Sequence, residues 1–288
     1  MNVSELALGA LTVACATLSA HAQAATSVDK IEFEVVSAFE RRAAVVGELR
    51  VPDSPRERLP AVIIVNSSPG FDGRGAFYAE ALNQGGIATL EIDMCQGRGL
   101  PLSPVHHLPH VYQSLQYLAR HPRIDPARVG IMGFSWGAQV ALLTGFSKLV
   151  RKYGDRNLRF AAQLPVYPQC WVIRTARNGR DKLLEPALLM EAAGSPVQIL
   201  AGEKDDYDDP DGCQQLVASL PADARRHFSV TVYKDATFAW DSRFGGATYE
   251  SGAHNGKGGI VHIVANPDIA RESQAFAVGY FRKHLAAE

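Results

Sequence analysis

The stretch Gly133-Phe134-Ser135-Trp136-Gly137 is the part of this sequence best suited to chemistry. A short apolar run, residues 128–132, precedes it, and helix-forming residues 138–143 follow it. A serine between two glycines at a strand-to-helix junction is typical of a nucleophile elbow, a sharp turn that exposes the hydroxyl. The glycines are needed because the strand and the helix pass close together there. We therefore predict that Ser135 is a nucleophile.

A serine nucleophile needs a base, and usually an acid that orients the base. At an elbow these partners follow in the order Ser, Asp or Glu, then His. Residues 200–206 read Leu-Ala-Gly-Glu-Lys-Asp-Asp, a predicted strand that runs into a glycine turn and two aspartates. We predict Asp205 as the acid, with Asp206 as the second choice. The alternative is that this acidic cluster is a solvated loop or a weak cation site.

An acyl-transfer site also needs donors for the oxyanion. The backbone N–H of Trp136 is one candidate, and the loop after the predicted strand 61–65 supplies the other. That loop reads Asn66-Ser67-Ser68-Pro69-Gly70-Phe71. We predict Ser68 as the second donor, because Pro69 has no N–H. An ordinary Ser/Pro/Gly turn is the alternative interpretation.

The elements that must position these groups alternate between strand and helix. Residues 31–36 and 43–51 are predicted as a leading pair of strands, and the continuous apolar run 61–65 indicates a strand covered on both faces. Further strands and helices alternate from there to a closing helix over 270–285. This pattern predicts an α/β fold with a mostly parallel central sheet and helices on both faces. We interpret residues 25–288 as one domain.

Residues 1–24 differ from the rest of the chain. Residues 6–20 are apolar but too short for a membrane span, and small-x-small cleavage candidates follow at 20–24. Residues 1–5 contain no Lys or Arg, and a disordered or docked N-terminal helix is the alternative. We predict an export signal, and hence a periplasmic or secreted protein. No other segment is predicted to span a membrane.

Charge and cysteine usage set further expectations. The net charge is −1 with no basic block, so nucleic acid is not an expected partner. Cys170 and Cys213 each follow closely on a predicted strand end, where a disulfide would pin the rim of the site. Free buried thiols are the alternative. Nothing in the sequence indicates an oligomeric state.

Taken together, these stretches resemble the dienelactone hydrolase-like branch of the α/β-hydrolases, over residues from about 59 to 285. The matching stretches are 73–79, 86–94, 121–126, the elbow and 202–206. The resemblance implies an α/β-hydrolase fold and hydrolysis of small esters or lactones by a Ser or Cys nucleophile. It implies no metal and no organic cofactor, and a small-molecule ester or lactone as the substrate.

Two residues depart from the family pattern. Asn66 stands where the family usually has a histidine at the start of the oxyanion loop. The family's catalytic histidine normally lies in a Thr-His-Ala-Phe-Asp stretch, and the matching residues 237–241 read Thr-Phe-Ala-Trp-Asp. Phe238 therefore replaces the expected base, and a phenyl ring cannot accept a proton.

Other histidines could replace the missing base. His254 lies on a Gly-rich loop that follows directly, so chain order and flexibility both permit it, and we predict it as the substitute base. His262 lies in an apolar run and fits a strand. His106, His107 and His110 precede a helix and fit a rim loop. For each of these, a surface or structural histidine is the alternative.

Two functional hypotheses follow. In the first, Ser135 attacks a small carboxylic ester or lactone and forms an acyl-enzyme. In the second, the protein is a catalytically impaired member of the fold that binds a ligand, with Phe238 and Trp240 lining an apolar pocket. The effect of Phe238→His bears on this choice. If another histidine is the base, the change should have little effect or disturb the pocket, whereas in an impaired member it should create or greatly raise esterase activity.

Overall fold

The structure is a computed structural model that describes residues 26–36, 42–95, 103–155, 157–181 and 183–287. The predicted export signal, residues 1–24, lies outside this range.

Eight strands form the central sheet in the order β1-β2-β4-β3-β5-β6-β7-β8. β2 pairs antiparallel with β1 on one side and with β4 on the other, and the remaining neighbours are parallel. The strands are β1 (Thr26–Val36), β2 (Arg42–Pro52), β3 (Leu59–Val65), β4 (Ala88–Asp93), β5 (Ile124–Phe134), β6 (Ala162–Val166), β7 (Val197–Lys204) and β8 (Phe228–Thr237). The predicted α/β fold with a mostly parallel sheet is confirmed.

Helices cover both faces of this sheet. They are α1 (Arg74–Gln84), α2 (Leu108–Arg120), α3 (Trp136–Leu143), α4 (Ser147–Tyr153), α5 (Cys170–Arg177), α6 (Gly212–Ala218), α7 (Ala222–Arg225), α8 (Ala253–Gly256) and α9 (Pro267–His284), with 3₁₀ turns at Pro104–His107 and Pro186–Leu189. Side chains alternate across a strand, so Ile63 of β3 belongs to the core on one face and Ile64 to the core on the other. Both are fully buried, which explains the continuous apolar run in β3.

Local sequence fixes the ends of the long helices. In α2, Val111, Leu115 and Leu118 are buried at helical spacing, and the helix ends before His121-Pro122. In α9, the side chain of Asn266 accepts a hydrogen bond from the Ile269 N–H at 3.1 Å, and Pro267 occupies the first turn. None of the described helices is both long and apolar enough to cross a membrane.

Two further features lie beyond the sheet. A two-stranded antiparallel hairpin, β9 (Gly246–Glu250) and β10 (Gly259–Ile263), follows β8. A disulfide joins Cys170, the first residue of α5, to Cys213 in α6. The cysteine pairing that the sequence left open is therefore formed, and it links the segments that follow β6 and β7.

The elbow lies where β5 ends and α3 begins. Ser135 separates them with φ 54° and ψ −114°, a strained conformation for a residue with a side chain. A Cβ on Gly137 would lie 2.3 Å from the Val65 carbonyl oxygen, and one on Gly133 would lie 2.4 Å from the Gly137 carbonyl oxygen. Both glycines are therefore required by close approach of backbone to backbone.

We expect Gly137→Ala to lower the free energy of unfolding by at least about 2 kcal/mol, because neither the carbonyl nor the helix can move aside cheaply. Gly279→Ala in α9 is the matched control, since a Cβ there meets nothing within 4 Å. Gly279 lies inside the helix, so this change should stabilise the protein by about 0.5–1 kcal/mol. Urea denaturation of both variants measures the difference, and similar values for the two would contradict the packing argument.

Candidate active site

Ser135 lies at the carboxyl edge of the sheet, held by its backbone. Its N–H donates to the Val166 carbonyl at the end of β6 (3.1 Å), and its carbonyl accepts from the Gln139 N–H (3.0 Å). The side chain makes no hydrogen bond with any described residue. The main chain is thus fixed on both sides while the hydroxyl stays available for chemistry.

The predicted oxyanion loop contacts the elbow directly. The closest atom to a Cβ on Gly137 is the Val65 carbonyl oxygen, and the next is that of Asn66, 2.6 Å away. The backbone N–H groups of Ser68 and Trp136 donate to no acceptor within the described ranges. Backbone donors left unoccupied near a nucleophile are what an oxyanion site requires, and of these two the Trp136 N–H belongs to the residue directly after Ser135.

Asn66 has a structural role in this loop. It is buried, and its side-chain amide donates to Glu91 of β4 at 3.0 Å. Glu91 is 1% exposed and also pairs with Arg50 of β2 at 3.1 Å. Burial raises the pKa of Glu91, although Asn66 and Arg50 oppose this effect. The loop is therefore anchored to the interior of the sheet through Asn66.

The indole of Trp136 is anchored by a histidine. Its Nε1 donates to Nδ1 of His107 at 2.9 Å, and the rings of His107 and His110 pack edge to face with centroids 4.9 Å apart. Because Nδ1 accepts this bond, the neutral His107 ring carries its proton on Nε2. Sequence reasoning placed these histidines on a rim loop and missed the contact with Trp136.

Asp205 directly follows β7, as predicted for the acid. Its Oδ1 accepts a hydrogen bond from the Tyr207 N–H at 2.9 Å. Burial raises the pKa of Asp205 to about 8, and the neighbouring charges of Asp208 and Asp206 act in the same direction, against the Tyr207 hydrogen bond. No cation among the described residues pairs with this carboxyl. Asp205 is therefore mostly protonated at neutral pH.

Asp206 has a partner that Asp205 lacks. Its Oδ2 accepts from the backbone N–H of His262 (2.8 Å) and lies 2.9 Å from Nδ1 of the same residue. His262 is an exposed residue of β10, as its place in an apolar run suggested. This pair fastens the hairpin to the segment after β7.

Phe238 occupies the strand end where the catalytic histidine is expected. Thr237, the last residue of β8, pairs with Lys204, the last residue of β7. Phe238 and Asp205 are therefore the first residues beyond two paired strand ends. The Phe238 ring is buried against Tyr207 and Tyr167, with centroids 4.6 and 5.2 Å away. An apolar aromatic wall therefore replaces the expected imidazole.

Trp240 supports this wall from the core. It is fully buried, and its Nε1 donates to the Ser273 hydroxyl of α9 at 3.2 Å. Its ring packs on Tyr167 with centroids 4.8 Å apart. The expectation that Trp240 lines the pocket is thus corrected, because a ring with no exposed area cannot contact a ligand.

His254 lies on the rim, at a position with a left-handed φ of 52°. Its backbone N–H donates to the Asp206 carbonyl at 2.8 Å, and its imidazole lies against Gly259 of the hairpin. The side chain is exposed and makes no hydrogen bond within the part of the chain that the structure describes. The structure does not join His254 to Ser135 or Asp205 by a hydrogen bond.

A buried polar network beneath the site was not found by sequence reasoning. The guanidinium of Arg74 donates to the Tyr167 hydroxyl at 2.9 Å, and that hydroxyl donates to Asp241 at 2.7 Å. Tyr78 also donates to Asp241, at 3.0 Å. These residues are far apart in sequence, and no local motif signals their contact.

The protonation of Asp205 predicts a pH-dependent stability. The pKa of Asp205 in the folded protein lies above the unfolded value of about 4. Between these two pKa values the folded state therefore holds a proton that the unfolded state has lost. The contribution of the Asp205 carboxyl to the free energy of unfolding is fully present below about pH 4 and is lost as the pH rises through 8. Asp205→Asn should therefore become more stable than the wild type with rising pH, by at least about 1 kcal/mol at pH 9.

Urea denaturation between pH 4.5 and 9 measures this difference. Asp53→Asn, at an exposed position, is the control and should show no such trend. A constant difference between Asp205→Asn and the wild type over the whole range would refute the raised pKa.

Comparison with known proteins identifies the family and the fold of the chain. The model of the dienelactone hydrolase family matches residues 47–257. A search of curated proteins finds no match. The fold is similar to Est1E from Butyrivibrio proteoclasticus (14% identity, TM-score 0.55, covering 86% of this chain and 98% of that one). It is also similar to Thermogutta terrifontis esterase 2 phosphorylated by paraoxon (12%, TM-score 0.63, 91% and 96%). A third similar structure is an esterase from Pyrobaculum calidifontis (14% identity, TM-score 0.56, covering 91% of this chain and 87% of that one).

At these identities the solved structures show the fold alone, and it is that of the α/β-hydrolases. The family match covers most of the sequence and includes the elbow, the oxyanion loop and Asp205. The chain therefore belongs to the dienelactone hydrolase family.

Proposed function

We propose that this protein is a serine hydrolase of small carboxylic esters or lactones that acts through an acyl-enzyme on Ser135. The observation that carries the proposal is the elbow, where Ser135 is held in a strained conformation next to Trp136, whose N–H donates to no described acceptor. The loop that carries Ser68 contacts the elbow through the Asn66 carbonyl. Membership of the dienelactone hydrolase family supports ester hydrolysis as the class of activity. The same evidence favours an enzyme over an impaired binding protein.

The proposed reaction has two stages. The substrate carbonyl oxygen accepts hydrogen bonds from the Trp136 and Ser68 N–H groups while Ser135 Oγ bonds to the carbonyl carbon. Collapse of the tetrahedral intermediate breaks the bond to the leaving oxygen and gives the acyl-enzyme. Water then attacks the same carbon, and the acid is released as Ser135 regains its proton.

Phe238 determines how protons move in this reaction. An imidazole would take the proton of the serine and return it to the leaving oxygen, and a phenyl ring can do neither. We propose that hydroxide from solvent removes the Ser135 proton. Leaving groups must then depart as anions, which favours esters of phenols and enols, since phenols such as tyrosine ionise near pH 10. Alkyl alcohols ionise only at much higher pH and should leave slowly.

The reactivity of Ser135 is tested by labelling with a fluorophosphonate. We expect one molecule of probe per protein at pH 8–9, bound at Ser135 and absent from Ser135→Ala. An esterase of this fold is phosphorylated by paraoxon, so a phosphorus electrophile is a suitable reagent. Failure of the folded wild type to label at any pH up to 9.5 would overturn the proposed function.

The role of Phe238 is tested by restoring the histidine. Because hydroxide serves as the base in this mechanism, Phe238→His should raise the rate of phenyl acetate hydrolysis by about 100-fold or more, the usual contribution of a positioned base. Ser135-dependent hydrolysis by the wild type, which an impaired binding protein would lack, is what separates the two functional hypotheses. The wild-type rate should rise with hydroxide concentration, whereas the variant should show an inflection near pH 6–7, where imidazole titrates. Phe238→Leu, which changes shape without adding a base, should not raise the rate.

The dependence of the hydrolysis rate on pH also tests His254 as the base. If His254 accepts the proton, the wild-type rate should level off with rising pH instead of following hydroxide, and His254→Ala should remove this plateau. That result would replace hydroxide by His254 in the mechanism and would leave Ser135 as the nucleophile.

We also propose that the mature protein is periplasmic or secreted. The apolar segment 6–20 and the small-residue sites after it support export. The Cys170–Cys213 disulfide supports an oxidising compartment, where such bonds persist.

A further inference from the structure

Arg74 is the first residue of α1, and it is buried below the oxyanion loop. Its guanidinium contacts the Ser67 hydroxyl, the Tyr167 hydroxyl and the carboxylate of Asp72, and it lies 5.6 Å from the centre of the Phe134 ring. Phe134 immediately precedes the nucleophile, and Ser67 immediately precedes the oxyanion donor Ser68. A single side chain therefore contacts the neighbours of both reactive groups.

We propose that Arg74 is a positioning residue that sets the orientation of the Ser68 N–H relative to Ser135, and this inference rests on the proposed function. The Ser67 carbonyl accepts from the Gly70 N–H at 3.0 Å, which closes a turn around Ser68 and Pro69. The side chain of Ser67 is held by Arg74, and its carbonyl is held by this turn. Rotation at Ser67 would change the direction of the Ser68 N–H.

The guanidinium is suited to this task by its shape. Nη1 reaches Tyr167, Nη2 reaches Ser67 and Asp72, and Nε reaches Asp72, so the planar group is held at three edges. A lysine ammonium carries the same charge as a single flexible point and cannot hold three acceptors in a plane. The substitution Arg74→Lys therefore separates charge from geometry.

The charge of Arg74 is balanced within the protein. Burial works to lower the pKa of this guanidinium, but Tyr167, Asp72 and Asp241 outweigh burial and raise it above its usual value. Asp241 is reached through Tyr167, which accepts from Arg74 and donates to the carboxylate. The group is thus a fixed cation below the oxyanion loop.

The network also joins the oxyanion loop to the loop that carries Phe238. Tyr167 contacts Arg74 through its hydroxyl and packs its ring edge to face on Phe238. Its φ of 43° shows that its backbone is strained at the end of β6. Asp241 lies three residues after Phe238 and receives the Tyr167 hydroxyl. The segments that follow β3, β6 and β8 are thereby held in one arrangement.

The test compares Arg74→Lys, Ser67→Ala and Tyr167→Phe with Arg128→Lys. Arg128 lies at the opposite end of β5, where it pairs with Asp125, so it controls for the loss of an arginine away from the site. Two kinds of measurement are made on each folded variant. One is kinetic: the second-order rate constant of fluorophosphonate labelling, together with kcat and KM for phenyl acetate. The other is hydrogen exchange at the Gly70 amide, which reports on the turn around Ser68 without any need for activity.

We expect Arg74→Lys to lower the labelling rate and kcat by about tenfold or more, with KM within twofold, as for a misplaced oxyanion donor. Ser67→Ala and Tyr167→Phe should act in the same direction. Exchange at Gly70 should be at least tenfold faster in all three variants, with β3 and β5 still protected. Arg128→Lys should match the wild type in every measurement.

The two proposals fail in different ways. A folded Arg74→Lys or Ser67→Ala protein with wild-type exchange at Gly70 and wild-type labelling would overturn the positioning role. Loss of labelling already in the wild type would overturn the proposed function, and the exchange measurement would still decide whether Arg74 orders the loop. If Arg74→Lys does not fold, Ser67→Ala and Tyr167→Phe provide the same decision.

Discussion

The close approach of the elbow to the end of β3 is the constraint on which the site depends. Gly137 lies so near the Val65 carbonyl that a methyl group has no room between them. This contact forces the chain to turn within one residue, and Ser135 takes the resulting strain in φ and ψ. It also brings the loop after β3 alongside the first turn of α3. The loop that carries Ser68 is therefore placed against the elbow by contact between two backbones, before any side chain contributes.

Polar side chains beneath the loop after β3 fix its residues further. Asn66 is held by Glu91, and Ser67 is held by Arg74, so consecutive loop residues are fixed from below by a carboxylate and a cation. Buried polar groups are costly unless they are paired, and here each is paired with another buried group. Within the described ranges the Ser68 N–H has no acceptor. In the proposed mechanism, a loop anchored in this way would present that N–H to a developing negative charge without first rearranging.

The sequence was most informative where structure is local. The apolar run of β3, the two glycines of the elbow and the acid after β7 each follow from short-range rules, so the sheet, Ser135 and the place of Asp205 could be predicted. The Arg74–Tyr167–Asp241 network could not, because its members are contributed by three distant segments and Tyr167 looks like any core aromatic residue. The hydrogen bond from Trp136 to His107 has the same character. Trp240 was misplaced because an aromatic residue next to Phe238 fits a core or a pocket equally well in sequence.

The replacement of the histidine and the protonation of Asp205 are two aspects of one change. Phe238 and Asp205 follow paired strand ends, so an imidazolium at position 238 would place a positive charge beside the carboxyl. The phenyl ring packs instead on Tyr207, and the backbone N–H of Tyr207 donates to Asp205. Burial then raises the pKa of Asp205 to about 8, and the acid holds a proton at neutral pH. A neutral acid next to an aromatic wall avoids the cost of an isolated buried charge.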